Sequence, residues 1–220
     1  MNPTTDFTIR SFLGGYDNNF TYLVTCGQTE SQFIVDASIP IKTLEKHILN
    51  EPKALLITHS HGDHIAFIDT YLKKFSEMKV VCFPESTNLY NAKQLIPIAN
   101  NEIMKVGRLL IQGIHTPGHY FDSVCYLMSK TLFTGDTLFV GRTGRVKRNK
   151  SSIKELYNSV YKKLLTLPGD TLIYPGHDYG KKPTISLEEN KQISPLLRAT
   201  CYTDFIQRME DYENSRLKGS

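Results

Sequence analysis

The stretch Thr58-His59-Ser60-His61-Gly62-Asp63-His64 constrains this chain more than any other. It puts three histidines and an aspartate within six residues, directly after the apolar run Ala54-Leu55-Leu56-Ile57. Along an extended backbone, alternate residues face the same side, so His59 and His61 project together. Gly62 then permits a sharp turn before Asp63 and His64. A strand that ends by presenting imidazoles and a carboxylate at close quarters is built to hold a divalent metal. Neutral imidazole and carboxylate suit zinc and iron, and the absence of nearby cysteine argues against a closed structural zinc site.

Three further segments repeat this design. Ile114-His115-Thr116-Pro117-Gly118-His119 is a strand end followed by a Pro-Gly turn that fixes the backbone before His119. Thr131-Leu132-Phe133-Thr134-Gly135-Asp136 is a short apolar strand that ends in an acid, and Leu172-Ile173-Tyr174-Pro175-Gly176-His177 another that ends in a histidine. Of the 7 histidines, all but His47 and His115 fall at these sites. Solubility and packing do not explain such concentration.

The order His-x-His-x-Asp-His, His, Asp, His resembles the metallo-β-lactamase fold superfamily. The wording His115-Thr116-Pro117-Gly118-His119, Thr134-Gly135-Asp136-Thr137-Leu138-Phe139 and Tyr174-Pro175-Gly176-His177-Asp178-Tyr179 is closer still to its glyoxalase II and persulfide dioxygenase branch. The likeness runs from Asn18-Asn19-Phe20 to the C-terminal helices. It implies an α/β fold, a four-layer αβ/βα sandwich of two mixed sheets with outer helices. It also implies that His59, His61 and His119 hold one metal, that Asp63, His64 and His177 hold a second, and that Asp136 bridges. On that reading Asp63 and Asp136 are the catalytic carboxylates. Asp36 resembles a supporting position behind the ligands in this family.

At 220 residues, with 40% hydrophobic content, the chain can bury a sizeable core and reads as one domain over 1–220. No apolar stretch approaches the ~20 residues that span a bilayer. Met1-Asn2-Pro3-Thr4-Thr5-Asp6 lacks the basic and apolar regions of a secretory signal. Cys26, Cys82, Cys125 and Cys201 form no CxxC pair and read as reduced, mostly buried thiols of a cytoplasmic protein. A homodimer is left open.

Strands are expected near 6–13, 19–25, 32–36, 53–58, 78–83, 108–115, 123–128, 131–135 and 171–174. Helices are expected near 40–50, where His47 reads as a solvated surface residue, and around 85–95. A further helix is expected over 152–166, where Ser152 with Glu155 forms a capping box and Ile153, Leu156, Val160 and Leu164 mark a buried face. Two more, around 186–193 and 203–216, finish the chain.

Two cations held this way bring the pKa of a bound oxygen towards neutrality, giving a hydroxide able to attack a carbonyl. The expected activity is therefore hydrolysis of a thioester of a small thiol, as in hydroxyacylglutathione hydrolase, with two divalent ions, zinc foremost and iron or a mixed pair as variants. The alternative is a glutathione persulfide dioxygenase with one iron on His59, His119 and Asp136, two histidines and a carboxylate of the kind suited to non-haem iron. Substrate contacts are expected from Gly141-Arg142-Thr143-Gly144-Arg145-Val146-Lys147-Arg148-Asn149-Lys150, which carries five positive charges against a net +4 for the chain. Arg142 and Arg145 would hold carboxylates of a small anionic thiol-derived substrate. Glutathione-using relatives carry Gly-Cys-Gly-Arg there. Arg145 falls on the arginine of that motif, Thr143 replaces its cysteine, and Arg142 its first glycine. Nucleic-acid processing is disfavoured: the pI is ≈ 8.7, but the charge sits in one short loop with no arm to grip a polymer. A β-lactamase role is disfavoured too, because no export signal is visible.

Overall fold

The computed structural model describes residues 2–89, 95–147 and 149–217. Strands β1 (Phe7–Gly14) and β2 (Asn19–Cys26) form a hairpin paired from Phe7↔Cys26 to Gly14↔Asn19. Strand β3 (Gln32–Val35) adds antiparallel to β2; β4 (Ala54–Leu56), α1 (Ile68–Lys74), β5 (Lys79–Cys82) and β6 (Leu95–Pro97) follow, the three strands joining in parallel. The second half contains β7 (Ile103–Val106), β8 (Leu109–His115), β9 (Val124–Met128), β10 (Thr131–Gly135) and a small ribbon of β11 (Leu138–Phe139) and β12 (Arg142–Thr143). After α2 (Ile153–Lys162) come β13 (Leu172–Pro175), β14 (Ile185–Ser186), α3 (Leu187–Ile193) and α4 (Tyr202–Leu217). The sheet orders are β1-β2-β3-β4-β5-β6 and β14-β13-β10-β9-β8-β7, each mixing parallel and antiparallel pairs.

The sequence pattern explains the layers. Strand β4 is buried on both faces, so it reads as an unbroken apolar run rather than an alternation. The inner faces of the two sheets meet in one cluster that includes Tyr22, Phe33, Leu56, Tyr126 and Phe133. The outer face of the first sheet packs on α1 through Tyr71 and Phe75, and that of the second on α2, α3 and α4 through Leu156, Val160, Leu187 and Phe205. Helix, sheet, sheet and helix make the expected αβ/βα sandwich.

Two helical expectations are corrected. Over 40–50 the chain makes two 3-10 turns, Ile41–Thr43 and Glu45–His47, and is extended at Ile48. The Gln32 side chain donates to His47 O (3.0 Å) and accepts from Leu49 N (2.7 Å), drawing the backbone away from helical pairing. His47 is not simply solvated but half-buried, with its ring 5.5 Å from that of Phe12. Over 85–95, Pro84–Leu89 is a 3-10 turn, residues 90–94 lie outside the described residues, and Leu95 and Ile96 belong to β6. The 152–166 helix ends as α at Lys162, and a 3-10 turn follows at Leu164–Thr166.

The strand ends that matter lie on one edge. Tyr126 donates to Ile57 O (2.7 Å) and Val124 N to Thr58 O (2.7 Å), tying the two sheets together beside the histidine-rich loop. On the other side, Phe20 N donates to Gly176 O (2.8 Å), which fixes β2 against the end of β13. Among the described residues, no helix is long and apolar enough to cross a membrane. Cys26, Cys82 and Cys125 are buried, Cys201 is exposed, and all four are free thiols.

Candidate metal centre

Four strand ends deliver the side chains singled out in the sequence. His59, His61, Asp63 and His64 follow β4, His119 follows β8, Asp136 follows β10 and His177 follows β13. Their donor atoms form groups able to hold a metal: His59, His61 and His119; His59, His64 and Asp136; and Asp63, His64 and His177. His61 Nδ1 lies 2.9 Å from His59 Nε2 and 3.1 Å from His119 Nε2. On the neighbouring side, His64 Nε2 and His177 Nε2 are 3.3 Å apart, and Asp63 Oδ2 lies 3.3 Å from His177 Nε2. The Asp136 carboxylate stands between them, with Oδ2 3.4 Å from His119 Nε2 and 3.3 Å from His177 Nε2.

The outer ring nitrogens decide what these inner ones present. His64 Nδ1 donates to Asp36 Oδ2 (2.8 Å), His177 Nδ1 to Asp17 O (2.7 Å) and His119 Nδ1 to Arg145 O (2.9 Å). The Thr58 hydroxyl donates to Asp36 Oδ2 (2.7 Å) and lies 3.2 Å from His59 Nδ1, whose proton it is therefore free to accept. With the Nδ1 proton engaged, each of these rings turns its Nε2 inward, and in its neutral form offers a bare lone pair there, the arrangement that metal-binding histidines use. Lone pairs this close repel unless a proton or a metal ion lies between them. Zinc–nitrogen bonds of ~2.0–2.1 Å arranged tetrahedrally require nitrogens roughly 3.3 Å apart, close to the spacings seen. Asp136 Oδ1 is also buried without a hydrogen bond among the described residues, although His64 Nε2 is 3.2 Å away. The donor set fits divalent metal ions.

Electrostatics point the same way. Burial, reinforced by the neighbouring His64, pushes His59 well below the usual histidine range and keeps it neutral. Burial also opposes charge on His64, but Asp136 and Asp36 overcome it and raise that group well above its usual value. At His177, burial opposes charge, but the hydrogen bonds its ring donates to the Asp136 and Asp63 carboxylates outweigh it and bring the group to about 9. Both carboxylates are held low against burial, Asp136 chiefly by His64 and Asp63 by its bond to His177. The half of the site around the carboxylates thus demands positive charge.

Reading the sequence alone missed several supporting residues. Asn19 Nδ2 donates to Asp63 Oδ2 (2.9 Å), and Asn19 forms an isolated bridge with His177. Tyr179 stacks on His177 at 4.7 Å and 3°, and its hydroxyl donates to the Asp17 carboxylate. Tyr120 packs against His61 with ring centroids 4.2 Å apart. Asp36, noted from the sequence, accepts three hydrogen bonds, including one from Thr58 N (2.8 Å).

Two connected hollows open at the site. One, of about 200 Å³, is lined by His61, Asp63, His119, His177, Lys147 and Ser151 among others. The second, of about 270 Å³, is lined by Phe139, Arg142 and Thr143, and both share Asp17, His119, Asp136, Arg145 and Tyr179. Larger clefts beside Leu165 and Lys105 contain none of the clustered histidines. Arg142 and Arg145 therefore do reach the cavity. Arg148 lies outside the described residues.

A family model for the metallo-beta-lactamase superfamily matches residues 14–177, a span that takes in every clustered side chain. The chain belongs to this superfamily. It is 36% identical over 180 residues to a probable hydroxyacylglutathione hydrolase, glo2, of Schizosaccharomyces pombe, covering 76% of this chain and 66% of that protein. It therefore spans just under two thirds of that relative's length. It is 29% identical to the human mitochondrial persulfide dioxygenase ETHE1, covering 86% of this chain and 75% of that one. The crystal structure of ETHE1 from Myxococcus xanthus superposes with a TM-score of 0.83 at 28% identity, over 93% of this chain and 91% of that one. Superfamily membership and the His/Asp cluster together support an enzyme that uses divalent metal.

Proposed function

We propose that the chain is a single metallo-β-lactamase-like domain that hydrolyses a thioester of a small anionic thiol, in the manner of hydroxyacylglutathione hydrolase. The observation that carries this reading is the position of the Asp136 carboxylate, within 3.4 Å of donor nitrogens from both halves of the cluster. That placement suits a two-metal set in which His59, His61 and His119 hold one ion, Asp63, His64 and His177 the other, and Asp136 bridges. Zinc matches the nitrogen-rich, oxygen-containing donors best, and iron or a mixed pair would also be held. When bound, such a pair polarises a carbonyl and acidifies a water at neutral pH.

The chain's own residues supply the rest. Asp63, the more exposed of the two carboxylates, lines the cavity and would orient a water held beside the metal pair by accepting a hydrogen bond from it. Asn19 holds one of its oxygens and so fixes where the other points. Tyr120 packs against the His61 ring and fixes its orientation. The basic wall of the second hollow attracts an anionic substrate. No serine or cysteine nucleophile is needed.

A second reading has its own support. Likeness to the persulfide dioxygenases extends over most of the chain, and His59, His119 and Asp136 offer the two-histidine, one-carboxylate set that iron and oxygen chemistry uses. Two assays separate the readings: thioester hydrolysis of S-D-lactoylglutathione by zinc-loaded protein, and oxygen uptake by iron-loaded protein given glutathione persulfide. Hydrolysis without oxygen uptake supports the proposal. Oxygen uptake that is lost in His119→Ala, with no hydrolysis, overturns it.

A further inference from the structure

The two arginines that line the second hollow are held in different ways. Arg145 donates from Nε and Nη2 to the two carboxylate oxygens of Glu213 on α4, both at 3.1 Å. Lys147 Nζ meets the same carboxylate at 2.5 Å. Glu213 thus ties two cations of the basic loop to the C-terminal helix, and the fork of Arg145 is already occupied. Its backbone carbonyl is engaged as well, accepting the Nδ1 proton of His119.

Arg142 is placed otherwise. It pairs with Phe139 across the β11–β12 ribbon, which fixes its backbone. Its guanidinium lies 4.0 Å from the Tyr179 ring centre and 5.5 Å from that of Phe139, and Nη1 donates to the Tyr212 hydroxyl (2.7 Å). Among the described residues no carboxylate forms a salt bridge with it. Asp17 lines the same hollow, but its carboxylate takes the Tyr179 hydroxyl. A planar cation stacked on an aromatic ring, oriented by one hydrogen bond and without an acidic partner, is a preorganised receptor for a carboxylate.

We propose that Arg142 is the residue that selects an anionic substrate, binding a carboxylate of the thiol portion in the hollow between Phe139 and Tyr179. Arg145 is a positioning residue, locked by Glu213, that orients His119 through its backbone. This deepens the thioester reading by naming its anion receptor, and its test does not depend on turnover.

The test is calorimetric titration of zinc-loaded protein with S-methylglutathione, which cannot be hydrolysed as a thioester. Loss of a charged hydrogen-bonding partner predicts that Arg142→Gln weakens binding roughly ten-fold or more. Arg142→Lys, which keeps the charge without the fork, loses less. Arg145→Gln and Glu213→Gln change affinity by less than about three-fold. The dimethyl ester of the ligand binds wild type as weakly as the free acid binds Arg142→Gln. Equal binding of acid and ester, a larger loss in Arg145→Gln than in Arg142→Gln, or no binding to wild type overturns the proposal. The ester comparison on wild-type protein stands even where a variant fails to fold. Binding without thioester hydrolysis sinks only the hydrolase reading.

Discussion

At the scale of single residues, the site depends on protons held away from its centre. Asp36 sits at φ 58, in the left-handed region, and from there accepts hydrogen bonds from Thr58 N, the Thr58 hydroxyl and His64 Nδ1. Asparagine tolerates that backbone and matches its shape, so Asp36→Asn removes charge with little strain. Metal affinity is expected to fall by about 10–100-fold, the usual cost of losing such a partner, as measured by competition with a chelator. Unchanged affinity would show that Asp36 merely shapes the turn. All seven clustered side chains were legible in the sequence, because each closes an apolar strand and four of them crowd one loop. Their supports were not. Asp17 acts on His177 through a backbone carbonyl, and Asn19 meets Asp63 only because the hairpin folds across β13. Neither role leaves a mark in residue type or spacing. The basic loop was legible as charge, but its pairing with Glu213 was not, because α4 lies far along the chain.

At the scale of elements, the turn before His119 is braced by α2. Gly118 has φ 138, and a Cβ there would meet Leu156 N at 2.2 Å and Leu156 Cα at 2.3 Å. Helix backbone cannot yield as a side-chain tip can. Gly118→Ala is therefore expected to cost roughly 3 kcal/mol and to displace His119, lowering bound metal. Denaturant unfolding and metal analysis check the two effects, and wild-type metal content would show that α2 gives way instead. The start of the same helix allows a milder test. Ser152 accepts from Glu155 N (3.3 Å) as N-cap, so Ser152→Ala should cost about 1 kcal/mol with metal content unchanged. That cap was readable because its signal is local. The failed helix at 40–50 had suitable apolar spacing, but competing bonds from distant Gln32 decided its conformation. Helix α1 escaped notice for the opposite reason: it has seven residues, buries only Tyr71 and has no side-chain cap.

At the scale of the whole molecule, the inter-sheet core and the site depend on each other. Phe133 is fully buried, with ring contacts to Tyr22, Phe33 and Tyr174, and its strand leads directly to Asp136. Phe133→Ala is expected to destabilise the fold by about 3–5 kcal/mol, seen as a lower midpoint in denaturant. A loss below about 1 kcal/mol would mean that the sheets do not share one core. Because the donors come from both sheets, metal should stabilise the assembled sandwich. At a free concentration 100 times its dissociation constant, one ion adds about 2.7 kcal/mol, so chelation should lower the melting temperature. The most direct test of the central claim is to titrate metal-free protein with zinc while following hydrolysis of S-D-lactoylglutathione. A two-metal thioester hydrolase predicts that activity rises until two equivalents per chain are bound and then levels off. Saturation at one equivalent with no hydrolysis would contradict both the bridging role of Asp136 and the reaction proposed for it.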